Sequence, residues 1–369
     1  MTDSNHRRRR VTLADIARAC GVSSATVSLV LSGNPAVAAK TRRLVETELR
    51  RQGYVYNRSA ANLRRKVSTS VALVINDLSN PFVAEFASGV DEALAEAGCV
   101  MLLGSSGESI ERQRAVLSSL LEHNPAGVIL TPAEGTSVAD LSPVVGLHTP
   151  LLLFNRQVPQ SRWDYLGADN VAGARMATEH LLAQGHTRIA FFGGHRDSSS
   201  CRQRLEGYTA ALKAAGITPE PRWIVECAPT RLQAATATAA LFARDPAPTA
   251  AVTYNDAVAL GLMMGLRARN IAPGREFALT GFDDIPEAAA TVPALTTLAT
   301  APRALGRQAV GMVMASRPVD AKPRNTIAPV QLVPRESSLS FTRTLESPTP
   351  AKPTKARATR GSRPGGSTA

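Results

Sequence analysis

Ser23, Ser24, Thr26 and Ser28 set four small hydroxyls within six residues. On a helix this spacing puts donors at the first turn and along one outer side, where they reach phosphates and base edges of DNA; that chemistry is hydrogen bonding rather than bond making. A second set of polar residues follows short apolar runs: Asn76-Asp77, Asn155-Arg156, Gly193-Gly194, Asn255-Asp256 and Asp283-Asp284. Amides, carboxylates and a guanidinium at strand ends supply the fixed donors and acceptors that hold a small polar ligand. No catalytic set stands beside them. His6, His123, His148, His180, His186 and His195 lack metal-ligand spacing, Cys20, Cys99, Cys201 and Cys227 form no C-x-x-C pair, and neither a G-x-S-x-G elbow nor a G-x-x-x-x-G-K-[ST] loop occurs. The chain is expected to be no enzyme, to hold no cofactor or metal, and to keep its cysteines as free thiols.

The elements that position the first set are short helices. Leu13, Ile16 and Ala17 recur at helical spacing, Gly21 supplies a turn, Ser23 can cap the next helix, and Val27, Val30 and Leu31 give that helix its own apolar face. This is the pattern of a helix-turn-helix. A third helix over Lys40–Arg51, with Leu44, Val45 and Leu49 at helical spacing, stops at Gly53. The stretch Tyr54–Lys66 is too polar and basic to bury itself, so Leu63 in its midst points to folding upon a partner. Charge divides accordingly: residues 1–66 carry a net +10, residues 67–346 a net −3 and residues 347–369 a net +5. A basic head on a near-neutral body fits DNA binding, with Arg7-Arg8-Arg9-Arg10 adding salt-dependent phosphate contacts.

From Val71 the texture becomes alternating. Strands are expected at Val71–Ile75, Val100–Gly104, Gly127–Leu130, Leu151–Phe154, Arg188–Phe192, Ala250–Tyr254 and Ala278–Phe282. Helices are expected at Pro81–Ala97, Ile110–His123, Asn170–Gln184, Cys201–Ala215, Arg231–Arg244 and Asp256–Ala268. Strand and helix in turn mean βαβ units and parallel sheets covered on both faces. So many units make two doubly wound lobes, with polar strand ends lining a cleft. The fold class is an all-α helix-turn-helix headpiece plus an α/β body. No apolar run is long enough to span a bilayer, and the Arg-rich start lacks a secretory h-region, so a cytoplasmic protein is expected. The residues after Glu346, rich in Pro, Ser, Thr, Gly and Lys/Arg, read as disordered.

These features resemble the LacI family of bacterial transcription regulators. The head resembles it in V-T-L-A-D-I-A-R-A-C-G-V-S-x-x-T-V-S from Val11, in Val37–Arg42 and in Gly53–Arg58. The body does so in Asn80-Pro81-Phe82, Gly185-His186-x-Arg188-Ile189-Ala190, Arg204-x-x-Gly207-Tyr208, Tyr254-Asn255-Asp256 and Gly281–Asp284. Thr26–Gly33 and Val225-Glu226-Cys227 look most like the maltose-regulon repressor subgroup. The resemblance implies a basic disordered arm (1–10), a headpiece (11–57), a hinge (58–68), a two-lobed domain of the periplasmic-binding-protein type (69–342) and a disordered basic tail (343–369). It further implies a homodimer on double-stranded operator DNA, away from membranes and nucleoid-associated when bound, released or retained by a small-molecule effector.

Carried over residue by residue, the resemblance implies DNA contacts from Thr12, Ser23, Ser24, Ala25, Thr26, Ser28, Leu29, Asn34, Tyr54, Asn57, Arg58, Ala60 and Leu63. Leu63 falls where the family drives a leucine wedge between base pairs. Leu29 stands where an arginine is frequent, which excludes a bidentate arginine–guanine contact there. The implied effector set is Phe82, Asn155, Ser198, Ser200, Arg204, Asn255 and Asp283, an inventory suited to a sugar; Arg156 could add charge for an anionic ligand, and Thr300 and Ala228 depart from the family pattern. Arg204 needs a partner if buried, with Asp283 the nearest carboxylate on this reading. Two alternatives stand: a corepressor system responding to a nucleobase or sugar phosphate, and, in another class, a sugar-binding or sugar-processing protein.

Overall fold

The computed structural model describes residues 11–54, 68–146, 149–243, 245–315, 318 and 321–339. The arm 1–10, the positions Asn57, Arg58, Ala60 and Leu63, and the tail 343–369 lie outside the described residues. Helices α1 (Leu13–Cys20), α2 (Ser24–Leu31) and α3 (Ala39–Arg51) come first. A Thr12–Asp15 capping box starts α1, and Gly21 ends it at φ 63°, a left-handed conformation that glycine adopts at no steric cost. α2 leaves at 105° to α1, the angle of a helix-turn-helix. Ile16, Ala17, Val27, Val30 and Val45 make the small core, with Val11, Leu13, Leu49 and Tyr54 packed around it.

The body opens with β1 (Ser70–Ile75), α4 (Pro81–Glu96), β2 (Val100–Ser105), α5 (Ile110–Leu121), β3 (Val128–Leu130), α6 (Val138–Val145), β4 (Leu151–Phe154) and β5 (Asp164–Ala168). It continues through α7 (Asn170–Ala183), β6 (Ile189–Phe192), α8 (Ser199–Ala214), β7 (Ile224–Val225), α9 (Arg231–Phe242), β8 (Ala250–Thr253), α10 (Asp256–Arg267) and β9 (Ala278–Thr280). The last elements are α11 (Pro286–Ala290), β10 (Thr297–Ala299), α12 (Pro302–Met314), β11 (Asn325–Ala328), β12 (Gln331–Val333) and α13 (Glu336–Leu339). Two compact units result. One takes in the chain through Leu78, Glu85–Leu166 and Arg303–Asn325; the other takes in Ser79–Ala84, Gly167–Pro302 and the chain from Thr326.

The first unit holds sheet strands in the order β5-β4-β3-β1-β2. Its pairs β1–β2, β1–β3, β3–β4 and β4–β5 are parallel, with Leu73 opposite both Leu103 and Ile129. Strands covered on both faces read as unbroken apolar runs, hence VALVI, VIL and LLLF in β1, β3 and β4. The second unit holds a parallel four-stranded sheet, β7-β6-β8-β9, and the antiparallel pair β10–β12. Phe191, Phe192, Tyr208, Phe277 and Phe282 fill its core. α7 and α8 approach so closely that a Cβ on Gly207 would stand 2.1 Å from the Val171 carbonyl oxygen. Gly207→Ala must push the two helices apart, and a loss of about 1–3 kcal/mol is expected. Urea unfolding reads this as a lower midpoint; an unchanged midpoint refutes it.

All seven expected strands and six expected body helices form within two residues of the expected ends. The sequence reading missed other elements, for identifiable reasons. β5 carries Asp164 and Gly167, residues that disfavour strands, and β10, β11 and β12 are only three or four residues long. α12 carries Gly306 and Gly311, residues that weaken a helical pattern. Gly306 is there for contact: a Cβ would meet the Phe86 carbonyl oxygen at 2.3 Å, and one on Gly89 would meet that of Arg303 at 2.0 Å. Among the described residues, no single helix is long and apolar enough to cross a membrane.

Candidate functional site

The headpiece presents α2. Ser23 Oγ accepts the Thr26 amide at 3.1 Å and lies 2.9 Å from Thr26 Oγ1, so both hydroxyls serve the cap of the helix. Ser24, Ala25 and Leu29 are exposed, and Thr26 and Ser28 are half-buried. Thr12 donates to Asp15 through its amide (3.0 Å) and its hydroxyl (2.7 Å). Asn34 is half-buried; its side-chain oxygen accepts the Ala36 amide, and its carbonyl accepts Arg42 Nη2 at 2.6 Å. Tyr54 packs against the headpiece core. The remaining DNA-contact residues of the sequence reading, Asn57 of the headpiece and Arg58, Ala60 and Leu63 of the hinge, are outside the described residues.

In the first unit the ends of four neighbouring strands are tied by one ion cluster. Asn76 follows β1, Glu108 follows β2, Pro132 and Glu134 follow β3, and Asn155 and Arg156 follow β4. Buried Arg156 donates Nη1 to Glu108 Oε2 (2.8 Å) and to the Pro132 carbonyl (3.1 Å), and Nη2 to Glu108 Oε1 (2.9 Å); Glu134 Oε1 stands at 3.6 Å. Glu108 also accepts from Asn76 Nδ2 (2.8 Å) and from the Glu134 amide (3.1 Å). Burial works to raise the Glu108 pKa, but the hydrogen bonds from Arg156, Asn76 and Glu134 outweigh it and hold it below the ordinary carboxylate value. The guanidinium read from sequence as spare charge for an anionic ligand is instead engaged by two carboxylates. Asn155 beside it has φ 62°, in the left-handed region that asparagine tolerates.

In the second unit Arg204, 4% exposed at its side chain, is the hub. Its Nε donates to Asn170 Oδ1 (2.8 Å), Nη1 donates to the Tyr254 carbonyl, and Nη2 faces Asp283 Oδ1 at 3.9 Å. Its Cζ lies 3.7 Å from the Phe282 ring centroid and 4.8 Å from that of Tyr254, a cation–π setting. The Asp283 partnership expected from sequence is therefore a looser ion pair, and the close hydrogen bonds go to Asn170 and Tyr254. A buried hydroxyl chain adjoins it: Ser198 Oγ lies 2.8 Å from Ser200 Oγ, which lies 2.9 Å from Tyr254 Oη. Thr300 donates its hydroxyl to the Asp283 carbonyl at 3.2 Å. Asn255 caps α10 by accepting the Val258 amide at 3.0 Å, and Phe82 is buried. Burial pushes Asp283 well above the carboxylate range against the pull of Arg204. It pushes Asp256 up to about 6, although the Thr297 hydroxyl (2.5 Å) and the Ile285 amide (2.9 Å) favour its charge.

The structure thus joins Ser198, Ser200, Arg204, Asp283 and Thr300 into one network and places Arg156 in another, with Asn155 next to it in the chain. Glu108, Glu134, Asn170, Tyr254 and Phe282 were not among the effector residues of the sequence reading, although Tyr254 and Phe282 stand in its family motifs. The local signal for the others is position: Glu108, Glu134 and Asn170, like Tyr254, follow the carboxyl ends of strands, as the chosen residues do. Among the described residues no His, Cys, Asp or Glu group could hold a metal ion. The arrangement can grip a polar ligand by hydrogen bonds, and its acidic groups already have donors.

Known proteins place this geometry. Residues 12–57 match the bacterial regulatory proteins of the lacI family, and residues 68–336 match the periplasmic binding proteins and sugar binding domain of LacI family. The chain belongs to the LacI family. This LacI-family protein is 34% identical over 288 residues to the maltose regulon regulatory protein MalI of Escherichia coli (strain K12), covering 78% of this chain and 83% of that one. To the HTH-type transcriptional regulator GalR of the same organism it is 31% identical over 287 residues, again 78% and 83%. Its fold matches the lac repressor dimer bound to operator and an anti-inducer with a TM-score of 0.77 at 26% identity, over 90% of this chain and all of that one. It also matches the transcriptional regulator CelR–cellobiose complex, TM-score 0.66 at 28% identity, over 89% of this chain and all of that one. The LacI-family protein is a DNA-binding transcriptional regulator.

Proposed function

We propose that this LacI-family regulator is a dimeric repressor whose hold on operator DNA is set by an uncharged sugar. The observation that carries the reading is the buried Ser198–Ser200–Tyr254 hydroxyl chain beside Arg204 and Asp283: it concentrates paired donors and acceptors of the kind that match vicinal hydroxyls. The names of relatives point the same way, a maltose regulon regulator and a regulator in complex with cellobiose. Of the sequence alternatives, a sugar phosphate is disfavoured because Arg156 is engaged by Glu108 and Glu134. The proposed effector residues are Phe82, Asn155, Ser198, Ser200, Arg204, Asn255, Asp283 and Thr300; the proposed DNA contacts are those of α2 with Thr12, Asn34, Tyr54 and the hinge. The proposed organisation is headpiece 11–57, hinge 58–68 and effector domain 69–342, in a cytoplasmic protein without catalytic turnover.

Operator release tests this. Fluorescence anisotropy is measured on DNA from immediately upstream of the protein's own gene, with a panel of mono- and disaccharides; one neutral sugar is expected to lower operator affinity about 5- to 150-fold. A sugar that binds and strengthens operator binding would make the system corepressor-dependent. The hinge gives a second result. Leu63→Ser removes the proposed wedge, and operator affinity is expected to fall about tenfold or more with effector affinity unchanged, because an apolar insertion is offset only by contacts made in the bent DNA. Unchanged operator affinity would remove Leu63 from the interface.

A further inference from the structure

We propose that Ala25 and Leu29 form an apolar stripe that reads thymine methyl groups, so that A·T pairs facing α2 are the main sequence determinant of the operator half-site. The inference rests on α2 being the recognition helix and adds the identity of the base. The two residues are four apart, so they lie one above the other on a single helix face. Leu29 is 39% exposed, whereas Val27 and Val30 of the same helix are 0% and 5% exposed. An eight-residue helix that buries its valines and leaves a leucine open has a face awaiting apolar contact.

Several polar groups around this face are engaged within the headpiece, and the hydroxyls of Ser24 and Ser28 are too short for a bidentate base contact. Ser23 and Thr26 bond to each other, Ser32 donates its hydroxyl to the Leu29 carbonyl at 3.0 Å, and Thr12 bonds Asp15. α2, with the sequence SATVSLVL, contains no amide, carboxylate, guanidinium or ammonium group. The pairings that read guanine, adenine or cytosine by two hydrogen bonds are therefore absent from this helix. In the major groove the thymine C5 methyl is the one apolar feature of a base edge. A G·C pair opposite the stripe would have its polar groups stripped of water without a partner, which costs affinity. The net charge of +10 over residues 1–66 matches a polyanion and argues for DNA rather than another protein on this face.

The test uses the full chain. Binding sites are selected from random-sequence DNA, then anisotropy is measured on the selected site with single thymines replaced by uracil, which deletes only the methyl. Each methyl facing the stripe is expected to be worth about a three- to fivefold change in Kd, and a G·C replacement about ten- to a hundredfold. Leu29→Ala is expected to abolish the thymine–uracil difference at one position while keeping the salt dependence, and Leu29→Arg to move preference at that position toward guanine, which identifies the pair it faces. Selection of G·C at that position, or indifference to uracil throughout the site, overturns the stripe and leaves the recognition helix standing. A chain that enriches no sequence at all overturns both.

Discussion

Replacing Arg204 by alanine is expected to lower the unfolding free energy by about 3–5 kcal/mol at pH 7, the cost of leaving a buried charge without its partner. The carboxylate left behind is Asp283, 5% exposed at its side chain, with Asp256 as a like charge nearby. Asn170 and the Tyr254 carbonyl lose their donor at the same time. The sign with pH follows from the raised values. In the native protein Asp256 and Asp283 hold protons more tightly than they do unfolded, so their contribution to stability is full below the ordinary value of 3.8 and is lost as pH rises, through about 6 for Asp256. Without Arg204 the Asp283 pKa rises further, so the variant's deficit is larger at pH 7 than at pH 5. Arg204→Ala combined with Asp283→Asn is expected to cost less than the sum of the single changes, by about 1–3 kcal/mol. Urea unfolding of the four proteins at both pH values decides it; additive costs with no pH dependence would show that the 3.9 Å pair carries no coupling.

Arg156→Ala has an expected effect of similar size, about 3–5 kcal/mol at pH 7, by a different route. It deletes the only described cation of the strand-end cluster and leaves Glu108 facing Glu134 across neighbouring loops. In the native protein the Glu108 pKa is depressed, so its contribution to stability is present above the ordinary value of 4.5 and is lost as pH falls below it. In the variant the burial of Glu108 is unopposed by a cation, its pKa rises, and protonation near pH 5 relieves part of the loss. Native and variant stabilities therefore converge on acidification. The loops after β1, β2, β3 and β4 also lose their common anchor, which displaces Asn155 and is expected to abolish the effector response. Glu108→Gln added to Arg156→Met should recover stability, since removing both members of a buried pair costs less than removing one. A deficit that stays constant between pH 7 and pH 5 would contradict this account.

The elements of this protein were set locally. Capping by Thr12 and Ser23, the left-handed stop at Gly21 and the unbroken apolar runs of β1, β3 and β4 are decided by residues within a turn or a strand of one another. The same holds for the charge of the head and for the motifs that carry the LacI resemblance, so headpiece, parallel-sheet body and regulator function were all legible in the chain. The sequence also named polar strand-end positions that the structure ties into hydrogen-bonded networks, because polar residues after apolar runs are a local signal. It did not decide what each buried charge meets. Arg156 and Glu108 are 48 residues apart, Arg204 and Asn170 are 34 apart, and Ser200 and Tyr254 are 54 apart. Such pairs have no spacing to recognise, since strand order in the sheets brings them together. A guanidinium on a strand end is equally able to grip an anion or to neutralise a buried glutamate. Desolvation makes the choice, because a charge removed from water must be answered by whichever opposite charge the fold has brought within reach.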